Sequence, residues 1–167
     1  MAADEQDVVL RSATPADDEF VASVYASTRA EELAGTGWSD EQKTAFCRMQ
    51  FEAQTAHYRA HYVGAEQSII ANRGERAGRL YLHRGRADIR IMDVALLPAF
   101  RGHGIGTRLL RDLQTEARAA RKKLSIHVER FNRARQLYER LGFREAEDKG
   151  AYVLMEWTAD SSGSVST

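Results

Sequence analysis

Six residues, Arg101-Gly102-His103-Gly104-Ile105-Gly106, constrain this chain more than any other stretch. They follow an apolar run over residues 89–97 and open an amphipathic run over residues 105–120. Strand, glycine turn and helix is the simplest reading of that order. Glycines at 102, 104 and 106 leave backbone amides uncovered where the helix begins. The first turn of a helix has N–H groups without intrahelical partners, at the positive end of the helix dipole. Such a turn suits an anion, most often a phosphate or pyrophosphate.

The rest of the chain narrows the possible ligands. Its 167 residues suffice for one domain with its own core, expected over residues 1–157, with a polar, disordered tail over residues 158–167. Lysine plus arginine equals aspartate plus glutamate at 24 each, so no excess of positive charge points to nucleic acid. The basic run at 118–123 reads as a solvated helix end. No apolar stretch reaches membrane-spanning length, and the acidic residues 1–7 do not resemble a signal peptide. One cysteine, Cys47, excludes an intrachain disulfide and a cysteine-cluster metal site. A reducing, cytoplasmic setting fits, with Cys47 packed in a helix near Phe46 and Met49. The charge balance leaves monomer and homodimer both open.

Local signals order the elements. Residues 8–12 form a first strand, and Thr14-Pro15-Ala16-Asp17 starts a helix whose buried face carries Phe20, Val21, Val24 and Tyr25. Gly35-Thr36-Gly37 breaks it. Ser39 with Gln42 forms a capping box for a second helix reaching about His61, with Phe46, Met49 and Ala53 on one face. Strands are predicted over 67–71, 78–83 and 88–97, with turns at Asn72-Arg73-Gly74 and Arg84-Gly85-Arg86. After the glycine turn, Ile105, Leu109, Leu113 and Ala117 share one side of a helix. A short strand over 124–129 follows, parallel to the one before the turn. Ala134, Leu137, Tyr138 and Leu141 mark a short helix that Gly142 ends, and residues 152–157 form a last strand.

Three anion loops fit a glycine turn of this kind. A Walker A loop needs lysine and Ser/Thr after its last glycine, whereas Thr107 and Arg108 follow here. A dinucleotide fingerprint needs G-x-G-x-x-G, and this spacing is G-x-G-x-G. Glu129 lies near the place of a ribose-binding acid, which keeps a nicotinamide cofactor as a rival. The third pattern is Arg/Gln-x-x-Gly-x-Gly/Ala after a strand ending in proline. Arg101, Gly104 and Gly106 meet it, with Pro98 upstream. A second motif follows: Asn132, Ala134, Leu137-Tyr138, then Leu141-Gly142-Phe143. This ordered pair resembles the GNAT N-acetyltransferase superfamily, most closely over residues 88–157, and the element order before it is also that of the family.

The resemblance implies an α/β fold: a mixed, mostly antiparallel sheet with helices on both faces and a splayed parallel strand pair. It implies acetyl transfer from acetyl-CoA to a primary amine by direct attack in a ternary complex, without a metal. Gly102, His103, Gly104, Ile105, Gly106 and Thr107 would hold the pyrophosphate through their amides, with Arg101 at the entrance or bracing the loop. Val94, Ala95 and Leu96 would bond the pantetheine arm, one amide of Val94 or Ala95 stabilising the oxyanion. Asn132 would contact that arm or cap the next helix, and Tyr138 would protonate the departing thiolate or simply pack. Five residues separate Asn132 from Tyr138 where many members have six, which bears on the asparagine more than on the tyrosine.

The general base is open between His127 and Asp93. His127 precedes Asn132 on the strand where some members carry a catalytic glutamate, and Asp93 lies in an apolar strand where a carboxylate needs a partner or a function. In this superfamily the acceptor is selected by segments corresponding to residues 29–38 and 145–152. Glu31 and Glu32 would receive a cationic amine or stay solvated; Trp38 would wall the pocket or staple the helix at Ser39. The acceptor, a small-molecule or peptide amine, is not named by the sequence. His57 and His61 share helical spacing without a third ligand and read as surface residues. The rival on the same scaffold is a non-catalytic acyl-CoA sensor, which would not need Tyr138.

Overall fold

The structure is a computed structural model that describes residues 7–159, so most of the expected tail over 158–167 lies outside the described residues. Seven strands form one mixed sheet in the order β1-β2-β3-β4-β5-β7-β6. They are β1 (Val8–Ser12), β2 (Glu66–Asn72), β3 (Glu75–Arg84), β4 (Asp88–Leu96), β5 (Lys123–Glu129), β6 (Arg144–Asp148) and β7 (Tyr152–Trp157). The α-helices of the described residues are α1 (Asp18–Ala34), α2 (Asp40–His61), α3 (Ile105–Ala120) and α4 (Ala134–Arg140). Strands β4 and β5 are the parallel pair, registered from Asp88–Lys123 to Ile91–Ile126. Beyond that register β4 runs on to Leu96 and β5 to Glu129. The chain divides into two compact units.

The first unit holds the described residues up to Tyr81 together with Val94–His103. Ser39 caps α2, its hydroxyl accepting from the Gln42 amide at 3.2 Å while Gln42 Oε1 accepts from the Ser39 amide at 2.9 Å. Strands β2 and β3 turn at Arg73-Gly74, both with positive φ, the geometry that suits a two-residue hairpin. Val21, Val24 and Tyr25 bury the predicted face of α1. The predicted face of α2 does not hold. Met49 is 60% exposed and Ala53 is also exposed, while Cys47 is buried against Tyr25 and Leu33, with Phe46 and Phe51 packed alongside. Burial raises the Cys47 thiol above its ordinary value, as befits a packing residue.

Asp17 ends the 3₁₀ turn Pro15–Asp17 that leads into α1. Its buried carboxylate accepts from both Nη atoms of Arg11 at 2.8 Å, from the Thr14 amide at 2.9 Å and from Arg76 at 3.3 Å. The Arg11 guanidinium, followed by the Thr14 amide, holds it well below the usual carboxylate range. A depressed folded pKa gives stability that is fully present above the unfolded value of about 3.9 and is lost as pH falls through the folded one. Asp17→Asn is therefore expected to lower Tm at pH 7, with the gap to wild type narrowing below about pH 4. Thermal melts of both proteins across that range check this.

The second unit holds Leu82–Asp93 and the described residues from Gly104 onward. Helix α3 buries Ile105, Leu109, Leu110, Leu113 and Ala117, one more than the predicted stripe. Ile89, Ile91, Leu124, Ile126, Val153, Met155 and Trp157 are among the other apolar side chains buried in this unit. Each large apolar side chain fully buried there contributes about 1.5–3 kcal/mol. Gly142 ends α4 as predicted, with φ +95°. Strand β6 pairs with β7 across a bulge between Glu145 and Glu147.

Candidate functional site

The glycine turn has the conformation that its sequence demands. A 3₁₀ turn, Pro98–Phe100, leads to Arg101, then Gly102 and Gly104 adopt φ +77° and +82°. Left-handed backbone of this kind is routine for glycine and costs other residues about 1–2 kcal/mol. Gly104 is the N-cap of α3, and its carbonyl accepts the first helical bond, from the Arg108 amide at 3.0 Å. The amides of Ile105, Gly106 and Thr107 thus lie in the first turn, where no intrahelical acceptor exists. A Cβ at Gly102 would meet nothing within 4 Å, so the turn has open space beside it. His103 is exposed.

Val94, Ala95 and Leu96 are half-buried at the end of β4. The Leu97 amide donates to the Ala77 carbonyl at 2.8 Å, fixing this end against β3. Arg101 reaches back: its Nε donates to the Leu96 carbonyl at 2.9 Å, and its Nη2 to Ser27 Oγ at 3.5 Å. The guanidinium thus ties the loop back to β4 and α1.

In the second unit Tyr138 is buried on α4, its ring 5.8 Å from that of Phe143. Burial, with the nearby Asp93 carboxylate adding to it, pushes the phenol up to about 12. Two residues selected from sequence, Asp93 and Tyr138, thus lie within electrostatic reach of each other. Asn132 Oδ1 accepts from the Ala134 amide at 2.9 Å, the first amide of α4, one residue ahead of the N-cap Arg133.

His127 belongs to a polar network whose other members the sequence did not reveal. Ser125 is fully buried and donates to the Asp88 carboxylate at 2.8 Å. Arg90 Nε donates to Ser125 Oγ at 2.7 Å, Nη2 to Asp88 at 3.3 Å, and Nη1 faces His127 Nδ1 at 3.4 Å. Residues 88 and 90 alternate on β4, as 125 and 127 do on β5, and the register places Arg90 opposite Ser125. Only that register joins the two pairs. A guanidinium can only donate, so Nδ1 accepts and the neutral ring carries its proton on Nε2. Burial first, then Arg90 and Lys149, lower the His127 pKa against the opposing pull of Glu147 and Asp88. NMR titration is expected to show this Nε2–H tautomer at pH 7 and half-protonation below the ordinary value of about 6.5. Arg90→Met should move the midpoint upward.

The acceptor candidates stand in the first unit. Glu31 and Glu32 are exposed, Glu32 pairing with Arg29 at 3.1 Å. Trp38 is 39% exposed and packs edge-on against Phe46, ring centroids 5.2 Å apart, beside the α2 cap. A cavity of about 330 Å³ in this unit is lined by Val21, Phe51, Thr55, Arg59, Gln67 and Tyr81 among others, and by none of the catalytic, cofactor or acceptor candidates named from sequence. His57 and His61 stack at 4.2 Å. Among the described residues no group of three or more His, Cys, Asp or Glu is placed to hold a metal. No described helix is long and apolar enough to cross a membrane.

No curated protein matches the chain. Among solved structures, the PaiA N-acetyltransferase of Thermoplasma acidophilum, crystallised with coenzyme A, superimposes with a TM-score of 0.68 at 16% identity, covering 90% of this chain and 98% of its own. A GCN5-related N-acetyltransferase of Rhodopseudomonas palustris gives 0.64 at 20% identity, covering 95% and 98%. A GNAT family acetyltransferase of Elizabethkingia anophelis, with acetyl-CoA bound, gives 0.61 at 16% identity, covering 92% and 99%. At these identities the likeness shows the fold. The family model for the acetyltransferase (GNAT) domain matches residues 58–145, more than half of the chain and the part that contains both motifs. The chain belongs to the GNAT acetyltransferase family.

Proposed function

We propose that this chain transfers an acetyl group from acetyl-CoA to a primary amine by direct attack in a ternary complex. The observation that carries the reading is the left-handed pair Gly102 and Gly104 at the mouth of α3, within the signature Arg101-x-x-Gly104-x-Gly106. Coenzyme A or acetyl-CoA is bound in two of the structures that share the fold. The turn fits a pyrophosphate: its backbone is left-handed where glycine permits, no side chain stands at 102, and first-turn amides are available.

In this reading the amides of residues 102–107 hold the pyrophosphate, with Arg101 bracing the entrance. Val94, Ala95 and Leu96 bond the pantetheine arm, and an amide of Val94 or Ala95 stabilises the oxyanion. Asn132 borders the arm, its oxygen held by the first amide of α4. Acetyl-CoA supplies the activated thioester. Asp93 or His127 takes the proton that the ammonium must lose before attack. Since Arg90 engages Nδ1 of His127, the base role favours Asp93. Tyr138 supplies the proton for the departing sulfur.

A phenol near 12 keeps its proton at every working pH. Against a thiolate in water, whose conjugate acid is near 8.5, that transfer is uphill. Tyr138 can serve only where the leaving sulfur is desolvated as well, since the same burial raises its basicity. The acceptor is a small-molecule or peptide amine, with Glu31, Glu32 and Trp38 assigned to its recognition. The domain spans residues 1–157 and works in the cytoplasm.

Thiol release from acetyl-CoA over a broad panel of amines tests the proposal. Saturable release with at least one amine is expected. Acetyl-CoA binding without turnover across the panel would favour the sensor alternative. Thermal stabilisation by NAD(P)H and none by CoA would overturn both.

A further inference from the structure

Gly78 in β3 has no backbone angle that requires glycine, since it is absent from the residues with positive φ. What requires it is a close approach. A Cβ built on Gly78 would lie 2.1 Å from the carbonyl oxygen of Ala95, 3.0 Å from the Ala95 carbonyl carbon and 3.0 Å from Leu96 Cα. The oxygen is the nearer of the two carbonyl atoms, so the C=O bond is aimed at the space that a side chain would fill. All three atoms are backbone and cannot rotate aside. With any other residue at 78, the carbonyl would retreat by nearly 1 Å to reach even the 3.0 Å that real Cβ atoms essentially never undercut.

That carbonyl shares a peptide plane with the Leu96 amide. In a trans peptide the C=O and the N–H point in opposite directions. With the Ala95 carbonyl turned onto β3, the Leu96 N–H is turned away from β3. The neighbouring groups are pinned in the same sense. The Leu97 amide donates to Ala77 of β3 at 2.8 Å, while the Leu96 carbonyl accepts from Arg101 Nε at 2.9 Å. One peptide is therefore set between a glycine on one side and the arginine of the signature loop on the other.

We propose that Gly78 is a positioning residue for acyl transfer: the space it leaves admits the Ala95 carbonyl and so presents the Leu96 N–H to the pantetheine arm of the acyl donor. This rests on the assignment of residues 94–96 to that arm. A side chain at 78 would tilt the Ala95–Leu96 peptide and misdirect the donor, while the pyrophosphate turn at 102–107 would be untouched.

Calorimetric titration with CoA and with ADP, which has the pyrophosphate but no arm, tests this on wild type, Gly78→Ala and Ile70→Val, a core truncation on β2. Gly78→Ala is expected to weaken CoA about tenfold, the equivalent of one hydrogen bond, and to leave ADP affinity unchanged. Ile70→Val should leave both unchanged. Unaltered CoA affinity in Gly78→Ala overturns the inference, and so does an equal loss for CoA and ADP, which would mean general damage. Should Gly78→Ala not fold, amide hydrogen exchange of Leu96 in the wild-type protein decides: slowing of about tenfold by CoA and none by ADP supports the inference. Exchange unaffected by CoA overturns it. Wild type that binds neither CoA nor ADP would instead overturn the acetyltransferase reading.

Discussion

Gly104→Asp is expected to abolish CoA binding. Residue 104 has φ +82° and caps α3, so any side chain there stands beside the first-turn amides. Aspartate tolerates the left-handed region better than most residues, so the fold should survive. Its carboxylate would repel the pyrophosphate. One pair of unit charges 4 Å apart near a protein surface costs about 4 kcal/mol, and every 1.4 kcal/mol is a factor of ten. CoA affinity should therefore fall by about a thousandfold. Gly104→Asn separates charge from backbone, since asparagine has the same shape and the same tolerance of positive φ without the charge. Calorimetry should show the asparagine variant binding CoA far more tightly than the aspartate variant. Equal affinities would assign the loss to shape, and full retention in the aspartate variant would place the phosphates elsewhere.

The second large effect is expected from Tyr138→Phe. Phenylalanine keeps the ring and its contact with Phe143, so Tm and CoA affinity should stay close to wild type. The proton goes with the hydroxyl. Loss of a general acid lowers turnover by about 10²–10⁴-fold. Steady-state thiol release with an active amine measures it. If Tyr138 were only part of the apolar stripe of α4, kcat would not change, because the ring is what packs. The pH profile adds a check: with the phenol near 12, no descending limb below pH 10 belongs to Tyr138.

Elements whose local chemistry and tertiary role agree were legible in the sequence. The Ser39–Gln42 box starts α2, the regular apolar stripe of α3 runs over the predicted residues Ile105–Ala120, and Gly142 stops α4. The buried side of α2 was not legible, because its interior contacts are partly polar. Gln50 accepts from the Tyr25 hydroxyl at 3.2 Å, and Gln54 accepts at 2.7 Å from Arg79, itself fully buried. A hydrophobic period cannot see such residues, so it settled on Met49 and Ala53, which face solvent. Strand β6 escaped for the same reason: Arg-Glu-Ala-Glu-Asp is exposed throughout and is a strand only because β7 pairs with it. The ends of β3 extend beyond the predicted run, to Glu75 and Arg84, through that same dependence on neighbouring strands.

The candidate site divides along the same line. Gly102 and Gly104 announced themselves because a positive φ is a local demand, and glycine is the local answer. Two ordered motifs were enough to give the family. Asn132 was open to both cofactor arm and helix cap, and only the fold shows its oxygen accepting from the Ala134 amide. His127 offered two nitrogens, and only the register of β4 on β5 put Arg90 against one of them. Gly78 gave no local sign, because its backbone angle is ordinary and its reason is a carbonyl 17 residues away in sequence. By itself the sequence determined what each stretch of backbone can do alone: where it turns, caps, or leaves amides open. The tertiary structure decided which polar atoms are already spent on one another, because hydrogen bonds and close contacts between distant segments exist only once the strands are in register.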